Sequence, residues 1–159
     1  MHSSVVGQLP NAGNWNCRDI KEGSRLYLNC NHEGGLVHVG DVHASQGDTE
    51  WSGSAANEVQ AEVALRCRVI KNKKIPYARI EKEDSIVQLF ADKPLEDAVH
   101  HAVIALMEWM VDEYGVKPRD AYILLTVDPG FRINVCQMIR DPSFKYVAGA
   151  EYPKLRLKA

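Results

Sequence analysis

No stretch of the chain is apolar for long enough to cross a bilayer, which takes about 20 residues. The start, Met1-His2-Ser3-Ser4-Val5, has neither the basic end nor the apolar core of a secretory signal. Charge of one sign is also missing. Nineteen Lys and Arg face 21 Asp and Glu, for a net charge of −2, so nothing favours nucleic acid electrostatically. Cysteine is sparse: Cys17, Cys30, Cys67 and Cys136 stand far apart with no C-x-x-C pair. That argues against a zinc knuckle or a dithiol redox motif. Two disulfides are arithmetically open, but without a secretion signal the thiols read as free. No Gly-rich phosphate loop, G-x-S-x-G elbow or Cys–His nucleophile pattern occurs, which leaves nucleotide, serine-hydrolase and thiol chemistry unsupported. There is no internal repeat and no low-complexity tract. The expectation is a soluble, cytoplasmic protein with no nucleic-acid or membrane partner.

What is present is ordinary globular material, 45% hydrophobic and 25% charged over 159 residues. A chain of this size buries roughly 70% of the surface its unfolded form exposes, so one domain over 1–159 is expected. Its first part, about 1–58, is rich in Gly, Asn, Ser and His, with apolar pieces at Leu26-Tyr27-Leu28 and Leu36-Val37-His38-Val39. Glycine punctuation there indicates turns and short strands. From Val59 to Val69 apolar residues fall at every second position, the period of a long half-buried strand. Lys71-Asn72-Lys73-Lys74 makes a solvated turn, and Tyr77–Ile80 and Ile86–Phe90 complete an expected antiparallel meander.

Helix signals follow. Pro94 suits a first helical position, with Glu96 and Asp97 near the positive end of the dipole. Leu95, Val99, Ala102, Val103, Leu106, Met110 and Tyr114 form a stripe at three- and four-residue steps, and Gly115 is the expected stop. A second helix is expected from Pro118 to about Asp128. Phe131, Ile133 and Val135 alternate as a strand, and the tail 147–157 reads as irregular or extended. The fold class is α+β, with strands dominating the first half, then an antiparallel meander and two helices gathered late.

One segment concentrates chemistry: Gly40-Asp41-Val42-His43-Ala44-Ser45-Gln46-Gly47-Asp48-Thr49-Glu50. Asp41 and His43, two residues apart, share a face of a strand. Glycine lets the chain return Asp48 and Glu50 toward them. Carboxylates gathered beside a histidine are costly to desolvate unless a positive charge neutralises them. A divalent cation answers that, and mixed nitrogen and oxygen ligands suit zinc. His38 is a further ligand if it faces the same way. The plainer reading is a polar loop whose side chains satisfy backbone groups, because the run carries no unique metal spacing. A second cluster, Asn11 to Asp19, offers Asn14 and Asn16 as hydrogen-bonding carboxamides around Gly13, or else a simple Asx turn.

Together the two segments resemble the acetamidase/formamidase family. Its patterns G-G-N-x-D and G-D-x-H-A-x-Q-G-D-G-E are matched by Ala12-Gly13-Asn14-Trp15-Asn16 and Gly40 to Glu50. A D-x-R-V-x-Q-like strand, Arg132-Ile133-Asn134-Val135-Cys136-Gln137, and a closing Pro153-Lys154 extend the likeness over about Asn11 to Leu157. Asn16 replaces an aspartate of the pattern, and Ala12 and Thr49 replace glycines. Thr49 is the notable change if its backbone needs positive φ. Family enzymes are longer, and this chain corresponds to their C-terminal half.

The resemblance implies hydrolysis of short aliphatic amides, such as formamide and acetamide, by a usually oligomeric enzyme with a divalent metal, and a β-sandwich-like, strand-rich first half joined to an α+β lobe of antiparallel meander and two helices. On that basis Asp41, His43 and Asp48 are the expected metal ligands. Glu50, with His43, is catalytic as general base and then acid. Asn14, Gln46 and Asn16 bind the small amide substrate, and a homo-oligomer is expected. The alternative is a catalytically degenerate ligand-binding or oligomeric module on the same fold. Other features read plainly. His100 and His101 point about 100° apart on the helix and belong to its surface or an interface. Trp51 and Trp109 are core or interface aromatics, Trp15 is a pocket-wall residue, and the Lys154-Arg156-Lys158 tail is solvated.

Overall fold

The computed structural model describes residues 7–10, 13–52 and 56–157; Met1–Val5, Asn11, Ala12 and Lys158 lie outside them. In chain order the elements are β1 (Arg25–Tyr27), β2 (His43–Ser45), β3 (Asn57–Glu58), β4 (Arg79–Glu81), β5 (Ser85–Asp92), α1 (Leu95–Tyr114), α2 (Pro118–Val127), β6 (Arg132–Gln137) and β7 (Tyr146–Pro153), with a 3₁₀ turn at Lys154–Arg156. Five strands form one sheet in the order β1-β4-β5-β7-β6, and β2 and β3 form a separate two-stranded sheet. Every ladder between named strands is antiparallel. The class is α+β, as expected, with most strands in antiparallel sheets beside two helices.

β5 explains the layering. Ile86 joins the core built with Ala102, Leu106, Trp109 and Met110 of α1, while Val87, Leu89 and Ala91 face a second core with Trp15, Cys17, Tyr77 and Cys136. Alternate residues of one strand therefore serve two cores. The helices cover one face, and the loops from the first part of the chain cover the other. Gln88, fully buried in β5, is satisfied by Arg79 Nε at 2.8 Å.

Both helices match their sequence signals. Gly115 ends α1 at φ 68°, its N–H directed to Met110 and Val111 carbonyls, the left-handed stop that glycine adopts most easily. His100 and His101 are exposed on α1.

Several expectations are corrected. Of the two readings of the tail 147–157, extended holds for its first part: β7 lies between β5 and β6, and Val147, Ala148, Gly149 and Ala150 are all buried. Small residues at consecutive positions carry no alternation, because a central strand is dry on both faces. Packing at Gly149 is tight: an added Cβ would lie 3.1 Å from Val87 Cγ1, which would have to shift by a few tenths of an ångström. Residues 36–39 form no strand, and the run 59–69 is not half-buried. Every residue from 57 to 70 is exposed, and beyond β3 none has a ladder partner among the described residues. The meander therefore takes β1, not 59–69, as the neighbour of β4. Trp15 is core, donating to Tyr77 Oη at 3.2 Å, whereas Trp51 is 61% exposed.

Candidate functional site

The β2–β3 hairpin places His43 directly opposite Glu58, and the Val59 N–H bonds to Val42 O at 2.9 Å just beyond. Asp41, two residues before His43, has φ 58°, a left-handed backbone that aspartate tolerates better than most residues. One ligand atom each from Asp41, His43 and Glu58 fall within 4.8 Å of one another.

The imidazole is fixed from its other side. His43 Nδ1 lies 2.7 Å from Gln46 Oε1, while Gln46 Nε2 donates to Asn16 O at 2.6 Å. Gln46 therefore offers its oxygen to the ring, and Nδ1 carries the proton. Nε2 is left buried with no hydrogen-bond partner, at ion-pair range (3.3 Å) from Asp41 Oδ1 but without hydrogen-bond alignment. Burial alone would lower this histidine's pKa. Contact with Gln46 and Asp41, and the negative charges of Asp41 and Glu50, outweigh burial and hold it above the ordinary value. A lone pair aimed among carboxylates wants a cation, either a proton or a metal. The nitrogen and two carboxylates suit a divalent ion such as zinc.

Beside this lies a second, buried polar group. Glu50 is 6% exposed, and Gln137 and Gln8 are also buried. Glu50 bridges to Gln137 of β6, its N–H bonding to Cys136 O at 2.9 Å. Gln137 Nε2 donates to Glu50 Oε2 at 3.0 Å and lies 3.4 Å from Asn14 Oδ1. Gln8 Nε2 donates to Gln137 Oε1. Among the described residues the carboxylate is thus held by a chain of carboxamides. Asn14 (φ 59°) and Asn16 (φ 48°) both adopt left-handed backbone here, the conformation asparagine accepts most readily after glycine.

Of the residues read from sequence, Asp41, His43, Gln46 and Asn16 are brought together, and Glu50 and Asn14 meet through Gln137. Asp48 stands apart, on the surface, 3.4 Å from Arg18 Nε. His38 is exposed and outside the three-residue group. Thr49 has no positive φ; its hydroxyl donates to Val135 O, so the glycine of the pattern is not needed for backbone freedom. Glu58 and Gln8 were missed as site residues, and Gln137 was read only as part of a strand. Glu58 heads the alternating run, but only the hairpin register shows that it faces His43. A groove of about 440 Å³ opens next to Asp41, walled by Val39, Val42, Val59, Ala61 and Val63.

A sequence model described as the Acetamidase/Formamidase family matches residues 3–148. The chain belongs to the acetamidase/formamidase family. Solved relatives agree with that placement. An acetamidase from Yersinia enterocolitica is 32% identical, with a TM-score of 0.80 over 95% of this chain and 44% of that one. An acetamidase from Bacillus halodurans, 22% identical, shares the fold at a TM-score of 0.77 over 96% of this chain and 50% of that one. A putative formamidase of Schizosaccharomyces pombe is 32% identical over 69 residues, 43% of this chain and 17% of that protein. The chain therefore spans half or less of the length of these family members. Among the described residues no helix is long and apolar enough to cross a membrane.

Proposed function

We propose that this chain supplies an amidase-type hydrolytic site for short aliphatic amides, releasing ammonia and the carboxylic acid. The observation that carries the reading is the buried Nε2 of His43, which has no hydrogen-bond partner and lies within ligand range of two carboxylates. It rests on the family and on the acetamidase relative at 32% identity. Asp41, His43 and Glu58 would hold a divalent cation, with Glu58 in the place first given to Asp48. When bound, such an ion polarises a carbonyl and acidifies water.

The remaining steps belong to side chains. Glu50 takes a proton from the attacking water and returns one to the departing nitrogen, which leaves as ammonia. Gln137 fixes the Glu50 carboxylate through Oε2. Asn14 and Asn16 present carboxamides that complement an amide substrate. Gln46 is engaged at both ends of its carboxamide, so its first task is positioning His43, and substrate contact is secondary. The water consumed and the C–N bond broken balance as amide plus water giving acid plus ammonia.

The test is ammonia release from formamide and acetamide by metal-replete protein, with Glu50→Gln as comparison. Loss of a general acid–base removes about 100-fold or more in rate. Equal release from the variant and the parent contradicts the role of Glu50. A folded, metal-loaded protein that releases none contradicts the hydrolase reading. It would favour the degenerate binding module, which the open groove beside Asp41 would also suit.

A further inference from the structure

Two of the four cysteines meet in the core. Cys17 and Cys136 are 8% and 3% exposed and belong to one cluster with Trp15 and Tyr77, whereas Cys30 and Cys67 are exposed. A bulge in β6 builds the meeting. Val135 pairs with Ala148 and Gln137 with Val147, so Cys136 is an extra residue between two consecutive partners. Bulges re-aim side chains. This one sends the Cys136 side chain into the cluster that holds Cys17, while the Cys136 carbonyl accepts the Glu50 N–H at 2.9 Å. The two thiols share a side-chain hydrogen bond. We propose that Cys17 and Cys136 are a redox modification site, at which a peroxide converts the thiol pair to an intramolecular disulfide.

The hydrogen bond to Cys17, and then burial, hold the Cys136 thiol well above the ordinary thiol range. Cys136 therefore keeps its proton, and Cys17, the more exposed of the two, meets the oxidant first. The Cys17 sulfur attacks one oxygen of hydrogen peroxide, the O–O bond breaks, and water leaves a sulfenic acid behind. The Cys136 sulfur then attacks the Cys17 sulfur. An S–S bond forms, the S–O bond breaks, and the Cys136 proton departs with the hydroxyl as a second water. Two thiols are oxidised by two electrons in all, and one peroxide is reduced to two waters. The bridge ties the segment whose Asn16 carbonyl anchors Gln46 to the strand whose Gln137 holds Glu50. Both sulfurs lie inside the core of this chain, so their contact depends neither on what covers its surface nor on the hydrolytic reading.

The test uses Cys30→Ser/Cys67→Ser, which removes the two exposed thiols. The folded variant is treated with hydrogen peroxide, then unfolded in guanidinium with iodoacetamide and weighed. The expected product is a monomeric chain lighter by about 2 Da with no alkylated cysteine, and dithiothreitol should return it to a chain alkylated twice. The oxidised protein should unfold at higher urea than the reduced one, because the bridge closes most of the chain into one loop. Adding Cys136→Ser should stop the reaction at a Cys17 sulfenic acid, captured by dimedone. The mass change is read on the double variant itself, so it stands whether or not the triple variant folds. Two free thiols after a peroxide exposure that oxidises Cys30 and Cys67 of the parent overturn the proposal. So do a bridge between chains, sulfinic acids without a bridge, a bridge formed only after unfolding, or one that lowers the urea midpoint. A bridged protein that releases no ammonia upholds this site while contradicting the hydrolase.

Discussion

His43 Nδ1 and Gln46 Oε1 stand 2.7 Å apart, and that contact decides what the other ring nitrogen can do. Because Gln46 is itself anchored on Asn16 O, the ring proton stays on Nδ1 and Nε2 turns its lone pair toward Asp41 and Glu58. A histidine in a metal site is characteristically held this way, through the nitrogen that does not bind.

Glu58, not Asp48, should govern cation affinity. Asp48 is spent on an exposed pair with Arg18, whereas Glu58 lies in the three-residue group. Glu58→Gln should lower zinc affinity by tenfold or more and Asp48→Asn should leave it within about twofold, by analogy with the 10–100-fold losses typical around metal ligands. Competition with a chromophoric chelator reads both. The reverse order would restore Asp48 to the ligand set.

The raised pKa of His43 has two pH consequences of opposite sign. In metal-free protein a histidine whose pKa is higher folded than unfolded stabilises the fold below its ordinary value, given as 6.5. That contribution is lost as pH rises through the folded value. The stability gap between parent and His43→Gln should therefore narrow as pH rises from about 6.5 through the higher folded value, as read by urea unfolding. Zinc must displace the proton from Nε2, so its affinity should rise over the same window. A pH-independent gap, or affinity falling with pH, contradicts the assigned environment.

Gln137 and Glu50 should be energetically coupled. Gln137→Leu leaves a buried carboxylate without the donor that holds it, a loss of about 1–3 kcal/mol. Replacing both residues with leucine should cost less than the sum of the single changes, by at least about 0.5 kcal/mol. Urea unfolding of the cycle measures it. Additive changes would mean that the 3.0 Å contact contributes nothing.

Much of this architecture was legible from the chain. α1 announced itself because its stripe, Leu95 to Tyr114, repeats with the helical period and stops at Gly115. β7 was not legible, since Val147-Ala148-Gly149-Ala150 is buried on both faces and has no alternation to read. The opposite error came at 59–69, where alternation is real but no neighbouring strand lies alongside among the described residues. In the site, Asp41, His43 and Gln46 were readable because they are local. Glu58 was not, because it reaches His43 only through strand register. Gln137 and Gln8 reach Glu50 from opposite ends of the chain, and no local pattern records such a meeting.

The most direct test of the central claim is ammonia release from formamide and acetamide by zinc-replete protein, with His43→Ala measured beside it and bound metal counted in both. The expected result is release by the parent with about one metal per site. In His43→Ala both the metal and the release should be lost, with secondary structure retained. Undiminished release from folded His43→Ala, or a metal count unchanged by it, would contradict a site organised around that imidazole.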